Sequence, residues 1–133
     1  MLSRYTMSRR RPADAGPLPE GVRKDTRWRT RHILRPTQQM VEQYLADPDE
    51  EAWQEFRGAY RALLKSRFEQ DRGPFDELAA LAGSRNVYLG CSCPTKQNPD
   101  VRHCHTWVAL EFMQEQYPAV EVVFPPAGKN AAG

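Results

Sequence analysis

The sequence has no long hydrophobic run. Its mean hydropathy over 133 residues is −0.74, and no segment is apolar enough to cross a bilayer. The first residues also lack the apolar stretch that follows the basic residues of a secretory signal, so we expect neither a membrane partner nor export. A chain of this length predicts one domain with its own core, which needs no disulfide or metal to fold.

Cysteine is scarce, and its number is odd. Three cysteines without a secretion signal favour reduced thiols in the cytoplasm over a disulfide framework. Two patterns that would identify the chemistry of these cysteines are absent. There is no paired C-x₂-C motif of a structural zinc site, and no cysteine is followed after five residues by the arginine of a phosphatase or rhodanese-like loop.

Acidic residues are few in the first quarter of the chain. Residues 1–36 hold ten Lys or Arg and three acids, a net charge of +7, whereas the remainder carries −5. A basic segment of this kind is compatible with a phosphate or nucleic-acid contact. A solvated surface arm, or one that pairs with the acidic helices, is the plainer interpretation. His32 stands alone among arginines, and we interpret it as a surface histidine.

Apolar residues recur at helical spacing in four segments. The second of these begins with Asp47 as the expected N-cap and Pro48 at the first helical position, and its aromatic stripe predicts a core-facing helix. The four predicted helices are Thr37–Ala46, the helix from Asp47 to about Phe68, Phe75–Ala82 and His103–Gln116.

Two short apolar runs, residues 86–91 and Val120–Phe124, are typical of strands, and residues 1–11 contain a weaker one. Proline and glycine predict a loop over residues 12–21, and the basic residues 22–36 show no regular pattern. Strand, helix and strand in the last forty residues indicate a βαβ unit, which implies a parallel pair with a right-handed crossover.

These elements predict an α/β fold. We expect a small three-layer Rossmann-like domain with a short, mostly parallel sheet and a C-terminal βαβ unit. The chain is expected to form a single domain over residues 1–133, with residues 1–8 and 125–133 as flexible termini.

All three cysteines and two of the three histidines lie within fifteen residues. Cys91 and Cys93 follow the predicted strand, whereas His103, Cys104 and His105 open the next helix. Ligands of open α/β sheets bind outside the carboxyl ends of the strands, and a helix N-terminus favours anions. The two groups are therefore expected to meet in one crevice.

Three kinds of site fit this crevice. The first is a reactive thiolate, because a cysteine at a helix N-terminus beside histidines has a lowered pKa and an imidazole can serve as its base. The second is a non-catalytic zinc-binding module with a Cys₃His ligand set. The candidate catalytic residues and the alternative zinc ligands are the same four: Cys91, Cys93, Cys104 and His105.

The third kind of site binds the phosphate of a nucleotide or nucleic acid at the helix N-terminus. Its candidate anion-binding residues are Arg9, Arg10, Arg11, Arg102 and His103. Two plainer alternatives stay open. The cysteines can be small core residues, or the chain can be an interaction protein that uses its basic N-terminal region.

Four sequence motifs occur in this chain in the same order as in the family known as domain of unknown function 488, which the chain therefore resembles. They are Arg10-Arg11-Pro12 with Pro19-Glu20-Gly21-Val22-Arg23-Lys24, the helix of Trp53, Phe56 and Tyr60 followed by Leu63-Leu64, the strand ending in Cys91 and Cys93, and Cys104-His105. The resemblance implies a compact α/β fold with a partly parallel sheet, and it implies no particular reaction. Many members have Cys-His-Arg where this chain has Cys104-His105-Thr106, so an arginine able to hold an anion is missing here.

The leading prediction is therefore a small cytoplasmic α/β protein linked to nucleotides or nucleic acid, with a reactive thiolate in its Cys/His crevice. The sequence is compatible with an enzyme and with a non-catalytic protein.

Overall fold

The computed structural model describes residues 1–8 and 16–125. Within these residues the chain forms a mixed α/β fold with a three-stranded parallel sheet and four helices, which confirms the predicted class. None of the described helices combines the length and apolarity that a bilayer span requires. The elements in chain order are β1 (Leu2–Thr6), β2 (Val22–Asp25), α1 (Gln38–Ala46), α2 (Glu50–Gln70), α3 (Gly73–Ser84), β3 (Val87–Cys91) and α4 (His105–Gln116).

Strand β3 lies in the middle of the sheet and pairs in parallel with both neighbours, in the order β1-β3-β2. Leu2 of β1 and Val22 of β2 both pair with Val87, and the ladder with β1 ends where Thr6 pairs with Cys91. Val87 and Leu89 are fully buried, as expected of a central parallel strand. The carboxyl ends of all three strands therefore lie at one edge of the sheet.

At the N-terminal end of the chain one strand prediction is confirmed and one is wrong. The weak strand expected within residues 1–11 is Leu2–Thr6, and its first residue is fully buried, although residues 1–8 were also expected to be a flexible terminus. Residues 22–36 were expected to be irregular, yet Val22–Asp25 forms β2. This strand has four residues at the sheet edge, three of them charged and none fully buried. It therefore has no apolar run from which a strand could be predicted.

The predicted strand Val120–Phe124 is reduced to a single bridge. Val122 pairs with Leu2, and two hydrogen bonds hold the segment: Leu2 N–H donates to the Glu121 carbonyl at 2.8 Å and Val123 N–H to the Leu2 carbonyl at 2.9 Å. The bridge is parallel and joins β1, the neighbour of β3 in the sheet, so the C-terminal βαβ unit is present with a single bridge in place of a regular second strand. Pro125, which has no N–H to continue the ladder, follows. It is the only described residue of the predicted flexible terminus 125–133.

The helices follow the predictions closely, with shifted starts. Thr37 caps α1 by accepting a hydrogen bond from the Met40 N–H at 3.1 Å. Asp47 was the expected cap of α2, but it already closes α1, because its N–H donates to the Tyr44 carbonyl. Asp49 is the cap instead, accepting from the Ala52 N–H at 2.8 Å. Helix α4 starts at His105 with Cys104 as its N-cap, two residues later than predicted.

The aromatic stripe of α2 forms much of the core. Trp53, Phe56, Tyr60 and Leu64 are buried, and α2 packs against α1 and α4. Helix α4 in turn packs on β1 and β3. Each large apolar side chain buried here stabilises the fold by about 1.5–3 kcal/mol. This packing holds the start of α4 against the carboxyl edge of the sheet.

We expect Gly21→Ala to lower the free energy of unfolding by about 1–3 kcal/mol. Gly21 has a φ of +138°, and a Cβ there would lie 2.5 Å from the Asn86 carbonyl oxygen, which accepts the hydrogen bond from Val22 N–H. Urea denaturation measures the loss. Gly58→Ala, on the exposed face of α2 with no atom within 4 Å of its Cβ, is the matched control. It should be neutral or stabilising, and equal effects of the two variants would contradict the steric argument at Gly21.

His32 is half-buried, so its interpretation as a surface histidine is wrong. Its Nδ1 accepts from the Leu34 N–H at 3.1 Å, and burial, followed by the charges of Lys24 and His105, lowers its pKa from 6.5 to about 4. The unfolded chain therefore binds this proton more tightly, and stability falls as pH falls from 6.5 towards 4. We expect His32 to account for about 2 kcal/mol of that loss.

Urea titrations across this pH range measure the His32 contribution. His32→Asn keeps an acceptor for Leu34 but does not titrate. Its stability should vary less with pH than that of the wild-type protein, and an unchanged pH slope would contradict the assignment.

Candidate Cys/His site

Three structural elements bring the three cysteines together. Cys91 is the last residue of β3, Cys93 follows in the loop, and Cys104 is the N-cap of α4. Their Sγ atoms all lie within 4.8 Å of one another. Cys91 and Cys104 are buried, Cys93 is half-buried, and all three are free thiols. The structure thus places the strand end and the helix start in one crevice, as the position argument predicted.

The cluster favours a single thiolate on Cys104. Burial opposes the charge, but hydrogen bonds from the Cys91 and Cys93 thiols and contact with His105 outweigh it and lower the pKa of Cys104 well below its usual range. The hydrogen bond to Cys104 raises the pKa of Cys91 well above its usual range and that of Cys93 to about 12. The N-cap position adds the unpaired N–H groups and the dipole of a 12-residue helix.

Thr106 makes the Cys104 sulfur a hydrogen-bond acceptor. The Arg4 Nε donates to Thr106 Oγ1 at 2.8 Å, and a guanidinium can only donate. The single hydroxyl hydrogen of Thr106 therefore remains for Cys104 Sγ, 3.1 Å away. A sulfur that receives this hydrogen bond is best satisfied as a thiolate.

Arg4 is a buried cation that contacts Thr106, the residue whose hydroxyl bonds to the Cys104 sulfur. It is 8% exposed, and none of the described carboxylates pairs with it. Its other nitrogens donate to the Cys93 carbonyl at 2.5 Å and to Thr6 Oγ1 at 3.3 Å. Arg4 therefore holds the cysteine loop in place and supplies positive charge close to the Cys104 sulfur.

His105 is oriented towards Cys104 by Thr26, the residue after β2. Thr26 Oγ1 lies 2.8 Å from His105 Nε2 and donates its own hydrogen to the Gly90 carbonyl at 3.1 Å. The Thr26 oxygen must therefore accept from Nε2–H, which leaves Nδ1 of the neutral ring as an acceptor. This Nδ1 lies 4.0 Å from Cys104 Sγ. Cys104, His105 and Thr26 thus follow the order of a nucleophile, its base and an orienting group.

A cavity of about 230 Å³ opens onto the cluster, and we call it the thiol cavity. Aromatic side chains from α1, α2 and the loop after β2 line it together with the sulfurs and two arginines. The lining residues that matter for its chemistry are Trp28, Tyr44, Trp53, Phe56, Cys91, Cys93, Cys104, His103, His105, Arg27 and Arg29. An apolar cavity with a few convergent polar groups is the usual form of a small-molecule site.

Asn98 fixes the loop that carries Cys93. It is 4% exposed, and its Nδ2 donates to Cys93 Sγ at 3.4 Å and to the His103 carbonyl at 2.6 Å. Its Oδ1 accepts from the Tyr44 hydroxyl at 2.9 Å, which ties the loop to α1. Asn98 therefore connects the loop and the start of α4 to α1.

Only two of the predicted anion-binding residues, Arg102 and His103, lie in the part of the chain that the structure describes. Arg102 is engaged by Asp100 at 2.7 Å and lines a separate charged depression, formed with Glu50, Arg57, Trp107, Glu111 and others. His103 lines both this charged depression and the thiol cavity, stacked on Trp53 with ring centroids 4.9 Å apart. Arg9, Arg10 and Arg11 lie outside the described residues. The arginines at the thiol cavity are Arg27 and Arg29, and Arg27 is paired with Asp25 at 2.9 Å.

Sequence reasoning missed four residues of the site. Thr106 and Asn98 lie close to the cysteines in sequence, and adjacency to Cys104-His105 was a signal for the first of them. Arg4 and Thr26 are brought in only by strand pairing, so no local pattern marks them. The missed residues are Arg4, Thr26, Asn98 and Thr106.

The three sulfurs can hold a metal ion, since thiolate ligands suit zinc and other thiophilic metals. His105 was the predicted fourth ligand. Its Nε2 is engaged by Thr26, and the compact group of potential ligand atoms consists of the three sulfurs alone. The Cys₃His set stays a prediction.

Comparison with known proteins identifies the family. The model of the family DUF488-N3a, described as the active DUF488-N3 subclade, matches residues 4–117. The match runs from β1 to the end of α4 and includes Arg4, the three cysteines and His105. Neither a curated protein nor a solved structure matches the chain. Because the match spans most of its length, the chain belongs to the DUF488 family.

Proposed function

We propose that this protein is a thiol-dependent enzyme in which Cys104 is the nucleophile. The observation that carries the proposal is the convergence of three sulfurs and His105 on the thiol cavity of about 230 Å³. A structural role alone explains a buried cysteine, but it does not explain a thiolate-favouring cluster that lines a cavity. The description of the matching family as an active subclade also favours chemistry over a passive role.

Each group has a defined task in the proposed reaction. The Cys104 thiolate attacks an electrophilic atom of the ligand, and the bond to the leaving group breaks. His105 Nδ1 takes the proton of the Cys104 thiol when the thiolate forms and then gives it to the leaving group, while Thr26 keeps the ring in place. The Cys91 and Cys93 thiols and the Thr106 hydroxyl hold the sulfur as an acceptor until it reacts.

The proposed ligand is a small planar molecule with an anionic group, of the nucleotide class. Trp28, Tyr44, Trp53 and Phe56 line the thiol cavity, and Arg29 lies 5.2 Å from the centroid of Trp28, where it can meet an anion. The expected nucleic-acid partner depended on Arg9, Arg10 and Arg11, which lie outside the described residues, so the proposal is limited to a small nucleotide.

The expected cytoplasmic location agrees with reduced thiols and stays a prediction.

We expect iodoacetamide at pH 7 to alkylate Cys104 first, because the other two thiols stay protonated. Peptide mapping identifies the modified cysteine, and saturating adenosine monophosphate should slow its alkylation severalfold. Cys93 as the fast-reacting thiol would contradict the assignment of the nucleophile. No effect of the nucleotide would contradict the assignment of the ligand.

Two variants of Thr106 provide a matched control for the alkylation experiment. Thr106→Ser keeps the hydroxyl and should leave the pH at which alkylation reaches half its maximal rate close to that of the wild-type protein, whereas the isosteric Thr106→Val should raise this pH by about one unit, the value of one hydrogen bond to a charged group. Equal pH midpoints for the two variants would mean that Thr106 does not stabilise the thiolate.

The second candidate function is a metal-binding module, favoured by sulfurs within 4.8 Å of one another. If it is correct, we expect protein purified without a histidine tag to contain about one zinc per chain, with all three thiols protected in the folded state. Cys104→Ser should lose the metal, while the exposed-site variant Gly58→Ala should keep it. Metal-free protein with one fast-reacting thiol would exclude this candidate and favour the enzyme.

A further inference from the structure

The site contains more thiols than a single nucleophile needs. Two further sulfurs lie within 4.8 Å of Cys104 Sγ, and both face the same cavity. A thiol at that distance can attack an adduct on Cys104 before water does. The three-thiol arrangement is therefore suited to a reaction that ends in a disulfide.

We propose that this site also reduces small hydroperoxides, with Cys104 as the attacking sulfur and Cys93 as the sulfur that resolves the product. The proposal rests on the proposed function, because it uses the same nucleophile, and goes beyond it by assigning a two-electron reduction. Its substrate class is the hydroperoxide, a small electrophile that the thiol cavity of about 230 Å³ admits.

The first step transfers one oxygen atom. The Cys104 thiolate attacks the terminal oxygen of ROOH, so that an S–O bond forms and the O–O bond breaks. The leaving alkoxide takes the proton from His105 Nδ1, the nitrogen directed at Cys104, and departs as the alcohol. Cys104 is then a sulfenic acid, oxidised by two electrons.

The second step closes the disulfide. The Cys93 sulfur attacks the sulfenic sulfur of Cys104, so that an S–S bond forms and the S–O bond breaks. The hydroxide leaves with the Cys93 proton as water. An external dithiol then reduces the disulfide by exchange and restores the thiolate. The two electrons taken up by the peroxide thus come from the dithiol.

Cys93 is better placed than Cys91 to resolve the product. Disulfide formation requires the two sulfurs to approach to about 2.05 Å, so one side chain must move. Cys91 is buried at the end of the central strand. The carbonyls of both cysteines are held, that of Cys91 by the Met7 N–H at 2.8 Å and that of Cys93 by Arg4 and by the Thr6 hydroxyl at 3.0 Å, so the difference lies in the exposure of the side chains. Cys93 lies in the loop after the strand and is half-buried. Its sulfur is therefore also the one that an external dithiol can reach.

The test treats reduced protein with one equivalent of hydrogen peroxide, blocks the remaining thiols with N-ethylmaleimide and maps the peptides without reduction. Trypsin cleaves after Arg85, Lys96 and Arg102, so Cys91 and Cys93 share one peptide and Cys104 lies in another. We expect these two peptides to be linked through Cys93, with Cys91 blocked. With excess dithiothreitol, peroxide should be consumed over many turnovers.

Two variants separate the resolving cysteine from its neighbour. Cys91→Ser should still form the link, whereas Cys93→Ser should stop at a sulfenic acid on Cys104 that dimedone traps. A link through Cys91, or Cys104 oxidised to sulfinic acid in the wild-type protein without any link, would overturn the proposal. The wild-type mapping alone decides the outcome if a variant does not fold.

Alkylation of the same reduced preparation with iodoacetamide separates a failure of the peroxide reduction from a failure of the proposed function. Fast alkylation of Cys104 without a peroxide-induced link would overturn the peroxide reduction and leave the proposed function standing. Slow alkylation of Cys104 would overturn both.

Discussion

Because β1 and β2 both run parallel to β3, the last residues of the three strands, Thr6, Asp25 and Cys91, meet at one edge of the sheet. The parallel register brings Arg4 and Thr26 to the same edge as the cysteines, although they are about 65 to 100 residues away in sequence. Parallel strands require crossover connections, and here α1, α2 and α3 supply the one that joins β2 to β3. Two of these helices also contribute the aromatic residues of the thiol cavity.

The charge on Cys104 is a balance of opposing effects. Burying an isolated anion costs several kcal/mol. Against this cost stand the hydrogen bond from the Thr106 hydroxyl, worth about 1.5–3 kcal/mol to a charged acceptor, and the weaker donors of the Cys91 and Cys93 thiols. The helix N-terminus and the buried Arg4 act in the same direction. The donors outweigh burial only as a group, which explains why the pKa values of the three cysteines move in opposite directions.

The sequence supports the centre of the fold better than its edges. The apolar run of β3 and the caps and stripe of α1 and α2 are local signals, and they predicted these elements to within two residues. Strand β2 has no such signal, because Arg23, Lys24 and Asp25 are typical of a polar loop. It forms a strand because its backbone pairs with β3. For Val120–Phe124 the opposite holds: its apolar run predicted a regular strand, whereas the segment makes only one bridge to the sheet. For the same reason the cysteine cluster was predictable, whereas Arg4 and Thr26, which depend on register, were not.

The imidazole of His103 stacks on the Trp53 indole and lies 3.5 Å from a carboxylate oxygen of Glu50. Both stacked rings are shared between the thiol cavity, which is mainly aromatic, and the charged depression, which is mainly ionic. The two spaces therefore have a common partition that is only one pair of rings thick. Whatever the thiol cavity admits therefore lies only one pair of rings away from the charged groups of the depression.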